Sequence, residues 1–138
     1  MLTFKFNPEG TQNKDPGAFH GVCELVNIIY TTSKKGYPMI KLTWNYEGNV
    51  FHDYHTCFDE KHKDVEAQWI GSIYWKLGEN PQQVIDGYKP ETLDDLLKAL
   101  CNTMTEQLRF KATINREKRD GSSFYDVFVD LNEPITKV

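Results

Sequence analysis

Two stretches of the sequence combine basic and aromatic side chains at places where β-hairpins are expected. The first stretch supplies Lys34, Lys35, Tyr37 and Lys41. The second supplies Arg109, Lys111, Arg116, Lys118 and Arg119, followed by Phe124, Tyr125 and Phe128. Cations neutralise phosphates and flat aromatic faces stack on any base, so this combination is typical of single-stranded nucleic acid binding. Lysines at hairpin tips also keep sheet edges soluble, which is the alternative interpretation of either stretch alone.

The segment 51–62, FHDYHTCFDEKH, is rich in side chains of the zinc-ligand type. These are His52, His55, Cys57 and His62. Alternation along a strand places His52 on the opposite face from His55, and no second Cys/His pair completes a tetrahedral site. We therefore expect no metal site. Phe51 and Tyr54 of the same strand are candidates for a nucleic-acid contact surface.

No pattern in the sequence indicates catalysis. The chain lacks a phosphate-cradling glycine loop, a nucleophile elbow and a helical HExxH pair. The adjacent carboxylates Asp94 and Asp95 fall in the first turn of an expected helix, where the helix dipole favours negative charge. We therefore predict that the protein is not an enzyme and uses no cofactor.

Composition limits the class of protein. The chain has 138 residues, which suits one domain with its own core, and its formal charge of −4 gives no general case for nucleic-acid binding. Cys23, Cys57 and Cys101 are odd in number and far apart, as expected of reduced thiols in a cytosolic protein. No stretch approaches the about 18 apolar residues of a membrane span, and the first residues lack a signal-peptide pattern, so we expect a cytoplasmic protein.

Hydrophobic periodicity predicts the strands that position these residues. Alternating apolar and polar side chains predict strands over 1–6, 37–46 and 108–117, and enrichment in Val, Ile, Phe and Tyr predicts a long strand over 19–32. Further strands are predicted over 50–58 and 123–131, each following a tight turn. Tight turns are predicted at 33–36, at 47–49 and at the Asp-Gly pair within KRDGSS. The rest of the N-terminal stretch 1–18 is predicted to be a loop, and 132–138 a short tail.

The apolar period becomes helical within residues 59–104, which we predict to be a helical insertion. Asp64 is the expected N-cap of a helix that Gly78 ends. Thr92 is the expected N-cap of a second helix with one continuous apolar stripe. A short helical turn is expected after Pro81.

Three strands, a helical insertion and two further strands follow the order of an OB-fold, a five-stranded Greek-key barrel. In that fold the second and third strands and the flanking loops bind oligonucleotides or oligosaccharides. We therefore predict a single, mainly β domain over 1–138, an OB-fold with its helices between strands 3 and 4. The pattern also allows an open α+β sandwich with both helices on one face of a sheet.

The run TSKKGYPMIKLTW, the FHDY strand and LRFKATINREKRDGSSFYDVFV together resemble a phage-encoded family of OB-fold single-stranded DNA-binding proteins, first catalogued as a domain of unknown function. The resemblance covers roughly residues 8–131, and SKKG-x-PM-x-K-x-T is its most specific part. It implies a role in phage replication or recombination in the bacterial cytoplasm. It also implies DNA contacts on the first hairpin from Lys34, Lys35, Tyr37 and Lys41. The second hairpin would then close from the opposite side with Lys111, Arg116, Lys118 and Arg119.

Residues and resemblance together predict sequence-tolerant binding of single-stranded DNA. The predicted contacts are Lys34, Lys35, Tyr37, Lys41, Phe51, Tyr54, Arg109, Lys111, Arg116, Lys118 and Arg119. Expected partners are single-stranded DNA and phage recombinase or replication proteins, with self-association left open and no membrane contact. The alternative is an acidic protein-binding module that mimics nucleic acid and inhibits a host enzyme. A positive groove favours the first function, and a contiguous acidic face favours the second.

Overall fold

The structure, a computed structural model, describes Thr3 and residues 15–138. The predicted strand 1–6 and most of the loop that follows it lie outside the described residues. The described elements are β1 (Phe19–Thr32), β2 (Pro38–Tyr46), β3 (Asn49–Thr56), α1 (Glu60–Lys76), α2 (Gln82–Tyr88), α3 (Leu93–Gln107), β4 (Phe110–Lys118), β5 (Tyr125–Val129) and β6 (Thr136–Lys137). The predicted class, mainly β with helices between the third and fourth strands, is confirmed.

The strands form one antiparallel sheet in the order β3-β2-β1-β4-β5, with β6 also paired to β4. Strands β3 and β5 are its edges, so the sheet is open and the predicted OB barrel is not confirmed. An open sheet with helices on one face agrees with the alternative α+β arrangement. Strand β6 was not predicted, because two paired residues shortly after Pro134 show no alternation.

One face of the sheet is buried beneath the helices. Its largest buried side chains are Leu25, Ile28, Ile40, Leu42, Trp44, Phe110 and Ile114. Helix α3 packs against both β1 and α1. Strand β4 pairs with β1 only over residues 19–24 of β1. Among the described strands, the backbone of Ile28 therefore has no partner on the β4 side. The Thr105 hydroxyl replaces such a partner, accepting from Ile28 N–H at 3.0 Å and donating to Ile28 C=O at 2.7 Å.

Local signals define most helix ends. Thr92 caps α3 as predicted, because its hydroxyl accepts the Asp95 N–H at 3.1 Å. Gly78, with φ of +78°, directly follows the end of α1, and α2 follows Pro81 as predicted. The predicted cap at Asp64 is wrong: α1 begins earlier, because the Asp59 carboxylate accepts a backbone N–H of the first turn. In the described part of the chain, no helix is long and apolar enough to cross a membrane.

The sheet curls until its two edges approach each other. The Arg116 guanidinium carbon on β4 lies 4.9 Å from the ring centroid of Phe51 on β3 and 4.0 Å from that of Tyr125 beside it on β5. Tyr46 on β2 crosses over Gly21 on β1, where a Cβ would come within 2.7 Å of the ring. A larger residue at position 21 would therefore have to displace the Tyr46 ring. Between β3 and β5 the curl leaves a groove in place of a hydrogen-bonded seam.

Candidate nucleic-acid interface

Within the described residues, the second face of the sheet carries no helix. On β1 to β4, none of the outward-facing side chains is buried within residues 15–138. The register of β2 and β3 places Tyr54 directly opposite Lys41, and His52 opposite Thr43. Tyr54 is 53% exposed. An accessible aromatic ring and a cation therefore lie side by side in the middle of an open surface.

This face continues into a groove of about 540 Å³ between the edges β3 and β5. Strand β3 lines it with His52 and Tyr54, and the β4–β5 hairpin lines it with Arg119, Phe124 and Phe128. Both phenylalanines are exposed. The groove thus joins rings from two hairpins that are far apart in the sequence, and flat exposed rings are suited to stacking on unpaired bases.

The arginines of the groove are paired with carboxylates. Arg116 donates to Asp15 at 2.7 Å and to the Gly17 carbonyl at 2.9 Å, and Arg119 donates to Asp126 at 2.6 Å. The hydrogen bond from Arg116, together with one from the Gly17 N–H, lowers the pKa of Asp15. The Arg119 guanidinium likewise lowers the pKa of Asp126. The groove therefore offers rings, while its positive charge is largely neutralised from within.

His55 is held between two carboxylates on the inward side of β3. Its Nε2 lies 2.7 Å from Asp53 and its Nδ1 lies 2.8 Å from Glu66 of α1. Burial alone would lower the pKa of His55, but the two hydrogen-bonded carboxylates outweigh it and raise the pKa to about 10. His55 is consequently a cation at neutral pH that ties β3 to α1. Within the described residues, no three His, Cys, Asp or Glu side chains are arranged to hold a metal ion.

The β1–β2 turn carries lysines that, unlike the arginines of the groove, are not paired with carboxylates of the described chain. Lys34 and Lys35 are exposed, and no carboxylate of the described chain lies within 4.0 Å of either ammonium. Gly36 N–H donates to Ser33 C=O at 2.9 Å and Ser33 N–H donates to Tyr37 C=O at 2.7 Å, which defines the turn. The positive φ of +89° at Gly36 favours glycine there. Both ammonium groups remain available to phosphate.

The two basic hairpins flank the open face from opposite ends of β1. The first turn follows Thr32, which pairs with Pro38, whereas Phe19 pairs with Arg116 beside the second hairpin. Between them lies the surface of Lys41 and its neighbours on β2 and β3. Exposed Lys118 stands at the end of β4, next to the tip of the second hairpin.

Four of the predicted contacts do not lie on the exposed surface around Lys41 and Tyr54, although Lys111 also faces the helix-free side of the sheet, opposite Glu24 of β1. Phe51 is 4% exposed and Arg116 is 6% exposed, because both side chains point inward in the alternation of their strands. Phe51 packs in the core, and Arg116 is committed to Asp15. Arg109 and Lys111 are exposed, but they lie beside β6, at the other end of β4 from the groove.

Sequence reasoning missed two rings beside the first turn. Phe58 is 60% exposed, and its ring meets that of Tyr37 edge-on at 5.0 Å and that of His62 at 5.8 Å. The sequence pattern predicts Phe58 inside a strand and indicates His62 only as a metal-ligand type, whereas β3 ends at Thr56. A signal was present in the sequence: an apolar residue directly before a helix N-cap, here Asp59, commonly packs against the first turns of the helix.

Comparison with known protein families, with characterised proteins and with solved structures finds no match to this chain. The resemblance to phage single-stranded DNA-binding proteins therefore stays a prediction from the quoted motifs. Functional inference rests on the geometry of the face, the groove and the turn.

Proposed function

We propose that this protein binds single-stranded DNA on the helix-free face of its sheet. The observation that carries the proposal is the open surface on which exposed Tyr54 lies beside Lys41 and leads into a groove lined by Phe124 and Phe128. Rings of this kind stack on bases without selecting among them. Free lysines at the edges of the surface neutralise phosphates, which makes the binding tolerant of sequence and sensitive to salt.

The distribution of charge supports this placement. Residues 59–107 contain ten acidic and five basic side chains, a net charge of −5, so the rest of the chain carries +1 of the total −4. Residues 59–107 form the three helices and their connections, on the other side of the sheet. The acidic surplus therefore lies away from the proposed DNA path, and the net charge overstates the repulsion that DNA meets there.

The strand order supports an OB-like fold. The order β3-β2-β1-β4-β5 is that of a five-stranded Greek-key barrel opened between its third and fifth strands, with the helices inserted after the third. In OB-folds the second and third strands and their flanking loops form the binding face. The proposed DNA path uses the same elements. With the family resemblance, we place this non-catalytic activity in phage replication or recombination in the bacterial cytoplasm.

The test is a fluorescence anisotropy titration with labelled oligo-dT of about 16 nucleotides, beside a duplex of the same length. Four lysines that flank or occupy the surface between the turn and the groove have no carboxylate within 4.0 Å in the described residues: Lys34, Lys35, Lys41 and Lys118. At about −0.7 per neutralised phosphate, the slope of log affinity against log salt should be about −3. Absence of binding to oligo-dT at low salt would refute the function. Salt-sensitive binding to a basic protein instead would favour the nucleic-acid mimic.

A further inference from the structure

We infer that Tyr37, Phe58 and His62 form a second base-stacking site for single-stranded DNA, separate from the groove; we call it the turn cluster. This inference rests on the proposed function and extends the DNA path to the β1–β2 turn. It assigns contact roles to Phe58 and His62, which neither the motifs nor the resemblance assigned.

The geometry of the rings carries the inference. Phe58 is 60% exposed although its ring makes T-shaped contacts with the rings of Tyr37 and His62, so much of the Phe58 side chain remains accessible to a ligand. The three residues come from the turn, from the end of β3 and from the first turn of α1. Exposed apolar rings gathered into one patch mark an interaction site, whereas single exposed residues do not.

The charges around the turn cluster identify a polyanion as the occupant. Lys34 and Lys35 belong to the same turn as Tyr37, and Lys61 is adjacent to His62; none has a carboxylate within 4.0 Å in the described chain. Two carboxylates at the start of α1 already have partners: Asp59 lies 2.9 Å from Nδ1 of His62, and Glu60 accepts from Lys63 at 2.7 Å. Rings bordered by free cations match a chain of bases joined by phosphates.

The turn cluster and the groove lie on one path. Tyr54 lies on β3, and Phe58 lies two residues beyond the end of β3 at Thr56, in the short connection to α1. Register places Thr56 opposite Met39, and Cys57 N–H donates to Pro38 C=O at 2.8 Å, so the end of β3 leads directly to the turn. A long oligonucleotide spans both sites, and a short one is held by the groove alone.

The experiment compares three substitutions at one position, Phe58→Ala, Phe58→Leu and Phe58→Trp, in the full chain. Affinities are measured with oligo-dT of about 4 and about 16 nucleotides, the limits of site size for one OB-fold. Phe58→Ala and Phe58→Leu should weaken binding of the long oligonucleotide by about 5- to 100-fold, because both lack a stacking face. Phe58→Trp should retain binding. The short oligonucleotide should lose much less affinity with any variant.

Trp75→Ala is the matched control, because Trp75 is also 60% exposed but lies near the end of α1, away from the turn. It should bind both oligonucleotides like wild type. Thermal melting of each variant verifies that the fold is kept. If wild type binds and Tyr54→Ala weakens binding, but both Phe58→Ala and Phe58→Leu match wild type, the second site is refuted and the proposed function stands. If wild type binds neither oligonucleotide, both are refuted.

Discussion

The β3–β5 groove and the β1–β2 turn contain the same kinds of side chain, but they differ in whether the basic residues are paired with carboxylates of the described chain. Both combine exposed aromatic rings with basic residues. In the groove, Arg116 and Arg119 are each bound to an aspartate of the chain itself. At the turn, Lys34 and Lys35 have no carboxylate within 4.0 Å in the described residues. A basic residue thus serves the fold in one region and remains free for a ligand in the other.

This difference separates two roles for charge. Removing a paired, buried cation destabilises the fold mainly because the partner carboxylate is left uncompensated. An exposed, unpaired lysine contributes little to stability and retains its charge for phosphate. Removing a buried, paired cation such as Arg116 or His55 should therefore act first on unfolding, whereas removing the turn lysines should act only on DNA binding.

The largest expected effect is on stability, at the cation between Asp53 and Glu66. His55→Gln should lower the free energy of unfolding by about 3–5 kcal/mol, because two carboxylates are then left without a positive partner. Urea denaturation measures the loss. His20→Gln, on an exposed histidine of β1, is the control and should change stability by less than about 0.5 kcal/mol. Equal effects of the two substitutions would show that the His55 pairs do not stabilise the fold.

The same cation predicts a pH dependence with a definite sign. Folding raises the pKa of His55 from its ordinary value of 6.5 to about 10. Its contribution to stability is therefore complete below pH 6.5 and is lost as pH rises towards about 10. The difference in urea midpoint between wild type and His55→Gln should shrink across this interval. A difference that stays constant or grows with pH would contradict the conclusion that His55 is a cation stabilised by Asp53 and Glu66.

Next in size is the loss of one stacking ring on the open face. Tyr54→Ala should weaken oligo-dT binding by about 5- to 100-fold, the effect of about 1–3 kcal/mol per stacked base. Tyr88→Ala is the control, because Tyr88 is similarly exposed but lies at the end of α2. Anisotropy titration at one salt concentration measures both variants. Similar affinities for the two would remove Tyr54 from the binding surface.

A smaller effect is expected at the turn, and it should be seen in the salt dependence. Replacing Lys34 and Lys35 together by alanine should reduce the slope of log affinity against log salt by about 1.4 in magnitude, with no change in melting temperature. Replacement of Lys89 and Lys98, which lie on the helical side, is the control. An unchanged slope would mean that the turn does not contact phosphate.

The smallest effect should be a gain of binding in the groove. Asp126→Asn releases the Arg119 guanidinium, so oligo-dT affinity should rise by about twofold to fivefold and depend more steeply on salt. Asp120→Asn removes the same charge from the hairpin tip without releasing an arginine held by an ion pair, which controls for net charge. Equal gains for the two would mean that the Arg119 pair does not compete with DNA.

Much of the fold was predictable because its signals are local. The predicted bounds of β1, 19–32, equal the observed ones, since residues that favour strands continue across the register shift between Leu25 and Asn27. Thr92 was identified as a cap from its own helix turn. The predicted cap Asp64 is wrong because the start of α1 depends on where β3 ends, which places Asp59 at the N-cap. Strand β6 was missed because its pairing depends on β4.

The candidate site was predictable only in part. Alternation along β3 places Tyr54 outward, opposite to inward-facing Phe51, yet both were proposed as contacts. Arg116 was grouped with its basic neighbours on the second hairpin, but it is buried against Asp15, about a hundred residues away in sequence. Whether a strand residue is exposed depends on the face of the strand on which it lies, and the alternation in the sequence indicates that face. Whether a charged residue is ion-paired depends on which distant segments meet in the fold, and the sequence pattern does not indicate that.

The sequence by itself determined the type and order of the elements, the turns, and which face of each strand is apolar, because these depend on neighbouring residues and on the periods of strand and helix. Only the tertiary structure decided that the sheet stays open between β3 and β5, because edge pairing depends on curl summed over five strands. It also decided which cations are free and that Phe58 meets Tyr37 and His62. Those contacts join segments separated along the chain, so no local pattern encodes them.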